Sequence, residues 1–162
     1  MSGADVSGDA ASGTQGELGV DMNLEVVTLP VADVDRAKDF YESLGWRFDI
    51  DLKVGDVRTV QFTPPHSGCS IQFGSGATPG RGTDAEPGSA QGMLLVVADI
   101  DATRDDLIGR GVDVSDVQEA HPPGFEEAGR SYFARAEFKD PDGNNWVLQQ
   151  ITERLPGRTW ED

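Results

Sequence analysis

Leu29-Pro30-Val31-Ala32-Asp33-Val34-Asp35-Arg36-Ala37-Lys38-Asp39-Phe40-Tyr41 joins the end of one element to the body of the next. Ahead of it, residues 24–29 are rich in β-branched side chains and read as a strand. Asp33 offers a side-chain oxygen to the free N–H groups of a helix start. Ala37, Phe40, Tyr41 and Leu44 then recur at helical spacing as a buried stripe. Gly45 ends the helix, because glycine adopts the left-handed conformation after a helix at little cost. Three further strands are predicted over 46–52, 57–63 and 69–73. The segment is a βαβββ unit.

The same unit occurs twice. Val31-Ala32-Asp33 returns as Val97-Ala98-Asp99, and Leu44-Gly45 is matched by Arg110-Gly111, both 66 positions on. Gly68 of Ser67-Gly68-Cys69-Ser70-Ile71-Gln72 is matched by Gly143 of Asp142-Gly143-Asn144-Asn145-Trp146-Val147, now 75 positions on. The nine extra residues fall in a loop around 117–131. An offset that changes once, at a loop, marks a duplicated module. The second copy predicts a strand over 93–98, a helix over 101–110 capped by Asp99 or Asp101, and strands near 112–117, 132–138 and 145–151. Asp140-Pro141-Asp142-Gly143 is a tight turn between the last two. The predicted fold is α+β, with two βαβββ modules forming a cupped mixed β-sheet, helices on its outer face and a cleft on its inner face. The modules span 23–74 and 92–152 of one domain. Residues 1–22, poor in bulky apolar side chains, read as a disordered tail; 75–91 read as a glycine- and proline-rich linker, and 153–162 as a C-terminal tail.

A net charge of -16 repels phosphate backbones and anionic lipids, which argues against nucleic acid and membrane partners. It favours cationic ligands. No apolar run is long enough to cross a bilayer, and no basic-then-apolar signal opens the chain. The single Cys69 has no internal disulfide partner. A cytoplasmic protein is the expectation.

Leu29 to Tyr41, followed by Leu44-Gly45, resembles the opening of glyoxalase, bleomycin-resistance and extradiol-dioxygenase proteins, the vicinal-oxygen-chelate superfamily. Asp140-Pro141-Asp142-Gly143-Asn144-Asn145-Trp146 resembles their closing turn and strand. The resemblance covers about 24–152. It implies a cupped sheet around a pocket and a homodimer. Metal-dependent members hold a divalent ion with His and Glu, two per module. Carried over residue by residue, those positions fall on Val26, Gln72, Met93 and Val147. Valine offers no lone pair and methionine sulfur is too soft for Mg, Mn or Fe(II). The resemblance thus implies a member without the usual metal site, and no cofactor is expected.

Several residues remain as candidates for a site. Gln61 and Glu137 hold matching places on the third strand of each module. Facing the cup, the Glu137 carboxylate would serve as an acid or base; facing outward, both would be solvated rim residues. Gln72 and Gln149 alternate onto the cup side with Val26 and Val147. The loop 119–130 reads either as a lid, with Phe125 capping a ligand that His121 or Arg130 contacts, or as an acidic surface loop. Trp46 opens the strand after the first helix and is either a core residue or a ligand-facing aromatic. Two functions fit. One is metal-independent binding that sequesters a small cationic or aromatic compound in an apolar cup. The other is a metal-independent enzyme of the same fold, a lyase or isomerase moving a proton through Glu137 or His121. A metal-dependent glyoxalase or dioxygenase with relocated ligands ranks below both.

Overall fold

The computed structural model describes residues 20–76 and 84–154. Most of the N-terminal tail, part of the linker and most of the C-terminal tail therefore lie outside the described residues. The first module runs β1 (Val26–Thr28), α1 (Val34–Ser43), β2 (Arg47–Val54), β3 (Val57–Thr63) and β4 (Ser70–Ser75). The second runs β5 (Met93–Val97), α2 (Ile100–Gly109), β6 (Gln118–Glu119), β7 (Ala134–Lys139) and β8 (Asn145–Gln150). The duplication is visible in the elements: helices starting at Val34 and Ile100 keep the first spacing, and strands starting at Ser70 and Asn145 keep the second.

The mixed sheet is realised as two four-stranded sheets, ordered β1-β4-β3-β2 and β5-β8-β7-β6. In each, the first strand runs parallel to the last and the other pairings are antiparallel. Both helices are capped by an aspartate, Asp33 accepting from the Arg36 amide and Asp99 from the Ala102 amide. That settles the choice between Asp99 and Asp101. The strand expected near 112–117 does not form. Only Val114 bridges to Phe138, and two residues of β6 follow. The Ser115 hydroxyl accepts from the Glu137 amide at 2.9 Å, taking a place that a backbone carbonyl would fill in a regular ladder.

One core joins the helix-facing sides of both sheets. It holds Val60, Phe62, Ile71 and Phe73 from the first sheet and Ala136, Phe138, Trp146 and Leu148 from the second. Tyr41 of α1 sits at the junction, with ring centroids 5.6 Å from Phe73 and 6.3 Å from Trp146. The Asp140–Gly143 turn fastens the modules together. Asp140 accepts from the amides of Asp142, Gly143 and Asn144 through one oxygen and from the Tyr41 hydroxyl (2.8 Å) through the other. Asn144 donates to the Pro30 carbonyl at 2.9 Å, and Asp142 accepts from the Ala32 amide and from Arg36. The linker closes over this turn at Gly88, where any Cβ would come within 2.0 Å of the Asp142 carbonyl oxygen. Among the described residues no helix is long and apolar enough to cross a membrane.

Candidate binding faces

Because side chains alternate along a strand, each sheet that buries one face in the core turns the other away from it. In the first module, β3 and β4 pair Gln61 with Gln72, flanked by the core pairs Val60–Phe73 and Phe62–Ile71. Gln61 and Gln72 therefore lie side by side on the face opposite α1. Ile50, Leu52 and Val54 of β2 pair with Gln61, Thr59 and Val57 and join them. These seven residues line a cavity of about 230 Å³. Its apolar wall is open to solvent: Leu52 is 50% exposed and Val54 65%. Val26 and Thr28 extend the face, and Gln72 donates to the Thr28 hydroxyl at 3.3 Å.

Asp49 enters this face through an irregularity. The β2–β3 register shifts between Phe48 and Ile50, leaving Asp49 as the extra residue. Phe48 turns toward Phe62 and Lys38 on the helix side. The Asp49 carboxylate accepts from Thr63, from Arg47 Nε at 2.6 Å and from Gln61 at 3.4 Å. Burial pushes its pKa up, but the hydrogen bonds from Thr63, Arg47 and Gln61 outweigh that and hold it below the usual carboxylate value.

In the second module, β7 pairs Glu137 with Val147 and Arg135 with Gln149, between the core residues Ala136, Phe138, Trp146 and Leu148. Glu137 thus lies on the face away from α2, in the position that Gln61 holds in the first module. It lines a broad cleft of about 470 Å³ with Asp113, Ser115, Lys139 and Asn145. Gln149 is buried and donates to the Tyr132 carbonyl at 2.7 Å. Tyr132 holds a positive φ of 69°, a conformation that costs a side-chain-bearing residue energy and persists only where surroundings enforce it.

Five candidates sit elsewhere. Met93 pairs with Trp146 and packs on the core, and it is Leu94 that pairs with Val147 on the open face. Met93 is thus one residue away from the face position expected for it, and one residue on a strand reverses the side. Trp46 is only 8% exposed and packs edge-on against Trp146 at 5.1 Å, so it belongs to the core. Arg130 is engaged by Asp101 at the start of α2 and by Glu119, which ties the 119–130 loop down. In that loop His121 and Phe125 both pack on Phe133, with centroids 4.8 and 5.8 Å away. Cys69 is partly buried and its thiol pKa is raised, first by burial and then by Glu25, which suits a packing residue rather than a nucleophile. Among the described residues no group of three or more His, Cys, Asp or Glu is clustered to hold a metal ion.

The chain belongs to the glyoxalase/bleomycin resistance protein/dioxygenase superfamily, whose model matches residues 23–148 and so spans both modules. It is similar to TnmS3, an antibiotic-binding protein from Streptomyces sp. CB03234, at 30% identity over 81% of this chain and 97% of that one, with a TM-score of 0.62. A glyoxalase/bleomycin resistance protein from the same organism is 31% identical over 79% of this chain and all of its own length (100%), with a TM-score of 0.59. A superfamily member from Sphaerobacter thermophilus DSM 20745 is 27% identical over 80% of this chain and 98% of that one, with a TM-score of 0.59. No curated protein matches the chain.

Proposed function

We propose that this protein is a metal-independent, cytoplasmic small-molecule-binding protein that sequesters an aromatic or cationic compound without transforming it. The observation that carries this reading is the open face of the first module. There an apolar wall of Ile50, Leu52 and Val54 flanks Gln61 and Gln72, which lie side by side on neighbouring strands, and the family resemblance implies a metal-ligand position at Gln72. Amides orient a bound molecule by hydrogen bonds, and without a charge they hold a divalent cation less strongly than carboxylates do. The similarity to an antibiotic-binding protein supports the same class of ligand. Both sheets back onto one core and turn their other faces outward, and we place the working form as a homodimer in which a second copy helps to close each cup.

The test is capture followed by mass analysis. Purified protein is incubated with a panel of aromatic and cationic antibiotics, freed of unbound compound, denatured, and its bound content weighed. Retention of one compound per cup with unchanged mass supports sequestration, and Leu52→Asp should abolish it. A product of altered mass, formed over many turnovers and lost in Glu137→Gln, would overturn it in favour of catalysis. That second reading has its own basis in the exposed carboxylate of Glu137 facing a cleft beside Lys139.

A further inference from the structure

We propose that Asp49 is the charge-recognising anchor of the first module's cup, and that the compound held there joins an apolar, ring-sized body to a planar cation such as a guanidinium or amidinium. This rests on the reading of that face as a binding cup and adds the chemistry of its ligand.

Four observations converge on the corner around Asp49. The strand bulge turns its carboxylate onto the face of Gln61, from which it accepts a hydrogen bond at 3.4 Å and which lines the cavity together with Ile50, Leu52 and Gln72. Its side chain is only 16% exposed, and Thr63 and Ser70, which hydrogen bond to each other at 2.7 Å, are buried beneath it. The corner is therefore a built carboxylate rather than a free surface acid. Asp51, the next acid along, is committed instead to Arg58 and Lys38.

The fourth observation is what already occupies the corner. Arg47 lays its guanidinium across it, with Nε donating to Asp49 and Nη2 to the Thr63 hydroxyl at 3.0 Å. This shows that two acceptors here match the fork of a planar cation. Yet Arg47 is 70% exposed, and an exposed ion pair between neighbours on one strand contributes little. Arg47 is a displaceable stand-in. A ligand cation gains the same two acceptors while its apolar body covers Ile50 and Leu52, which Arg47 cannot do.

Two matched probes test this on the full chain: a naphthylmethylguanidinium and the isosteric, uncharged naphthylmethylurea, both followed by fluorescence anisotropy. The guanidinium should bind about tenfold tighter than the urea, the scale of one charge-assisted hydrogen bond. Asp49→Asn should remove that preference, weakening the guanidinium about tenfold more than the urea, which loses only uncharged hydrogen bonds. Arg47→Ala should tighten the guanidinium several-fold and the urea by less; because Arg47 is mostly exposed, this variant keeps the test valid even where Asp49→Asn folds poorly. A preference that survives Asp49→Asn, or a guanidinium that weakens in Arg47→Ala, overturns the assignment. If both probes bind equally and Leu52→Asp abolishes both, the assignment to Asp49 fails and the cup stands. If neither probe binds wild type, the cup reading fails with it.

Discussion

Tyr41 shows how one side chain serves two modules. Its hydroxyl, fully buried, donates to Asp140 and accepts from Trp146 Nε1 at 3.1 Å. Burial, and then the adjacent Asp140, push its pKa far above the ordinary phenol value. The folded chain therefore keeps the phenol neutral where an unfolded one ionises, near pH 10. Stability from this group is complete below pH 10 and falls above it. Tyr41→Phe should cost about 2 kcal/mol at pH 7, because it leaves the Trp146 N–H unpaired and Asp140 short of a donor; it should also flatten the alkaline slope. Urea unfolding at pH 7 and pH 10.5 reads both effects. Asp51 has the opposite sign. Hydrogen bonds from Arg58 and Lys38 hold its carboxyl well below the carboxylate range. Its contribution is full above about pH 4, the unfolded value, and is lost as pH falls through the lower folded value. Asp51→Asn should cost about 1.5 kcal/mol at pH 7 and progressively less below pH 4, seen as converging acid-unfolding curves.

At the scale of elements, what the sequence discloses is what periodicity and caps encode. Both helices, the first cap and the closing turn are legible in it, and the second cap is narrowed to Asp99 or Asp101, since each is written in local chemistry: an aspartate before a helix, an apolar stripe, a proline and glycine in a turn. Register is written less directly. Ile50, Leu52 and Val54 alternate with Asp49, Asp51 and Lys53, and that pattern alone marks an apolar face on β2. It does not say that Phe48 leaves the series for the helix side, because the bulge at Asp49 arises from how β2 meets β3. The same limit displaced Met93 from the face its neighbour Leu94 occupies. Substitution tests that difference directly. Met93→Ala should cost about 2 kcal/mol in urea unfolding, because Met93 packs on the core. Leu94→Ala, at an exposed position, should stay within about 0.5 kcal/mol. Equal losses would mean that β5 is rotated relative to β8.

For the whole molecule, the arrangement of the two sheets sets the problem of assembly. Their helix-facing sides share one core, so Leu52, Val54 and Leu94 are left exposed on outward faces where a monomer has nothing to cover them. If the chain pairs as proposed, a second copy closes over part of this apolar surface and leaves the cup to its ligand, and the area buried favours pairing. Each chain, however, has a net charge of -16, and two such chains repel. The two terms respond oppositely to salt. Raising sodium chloride from about 20 mM to about 500 mM shortens the screening length several-fold and removes most of the repulsion, while apolar burial is unaffected or slightly strengthened. Dimerisation should therefore tighten with salt, seen in sedimentation velocity as a shift toward the dimer at fixed protein concentration. Binding of a cationic probe at Asp49 should weaken over the same range. A dimer that loosens with salt would mean that ion pairs hold the interface, and the apolar faces of the two modules would then not be what brings the copies together.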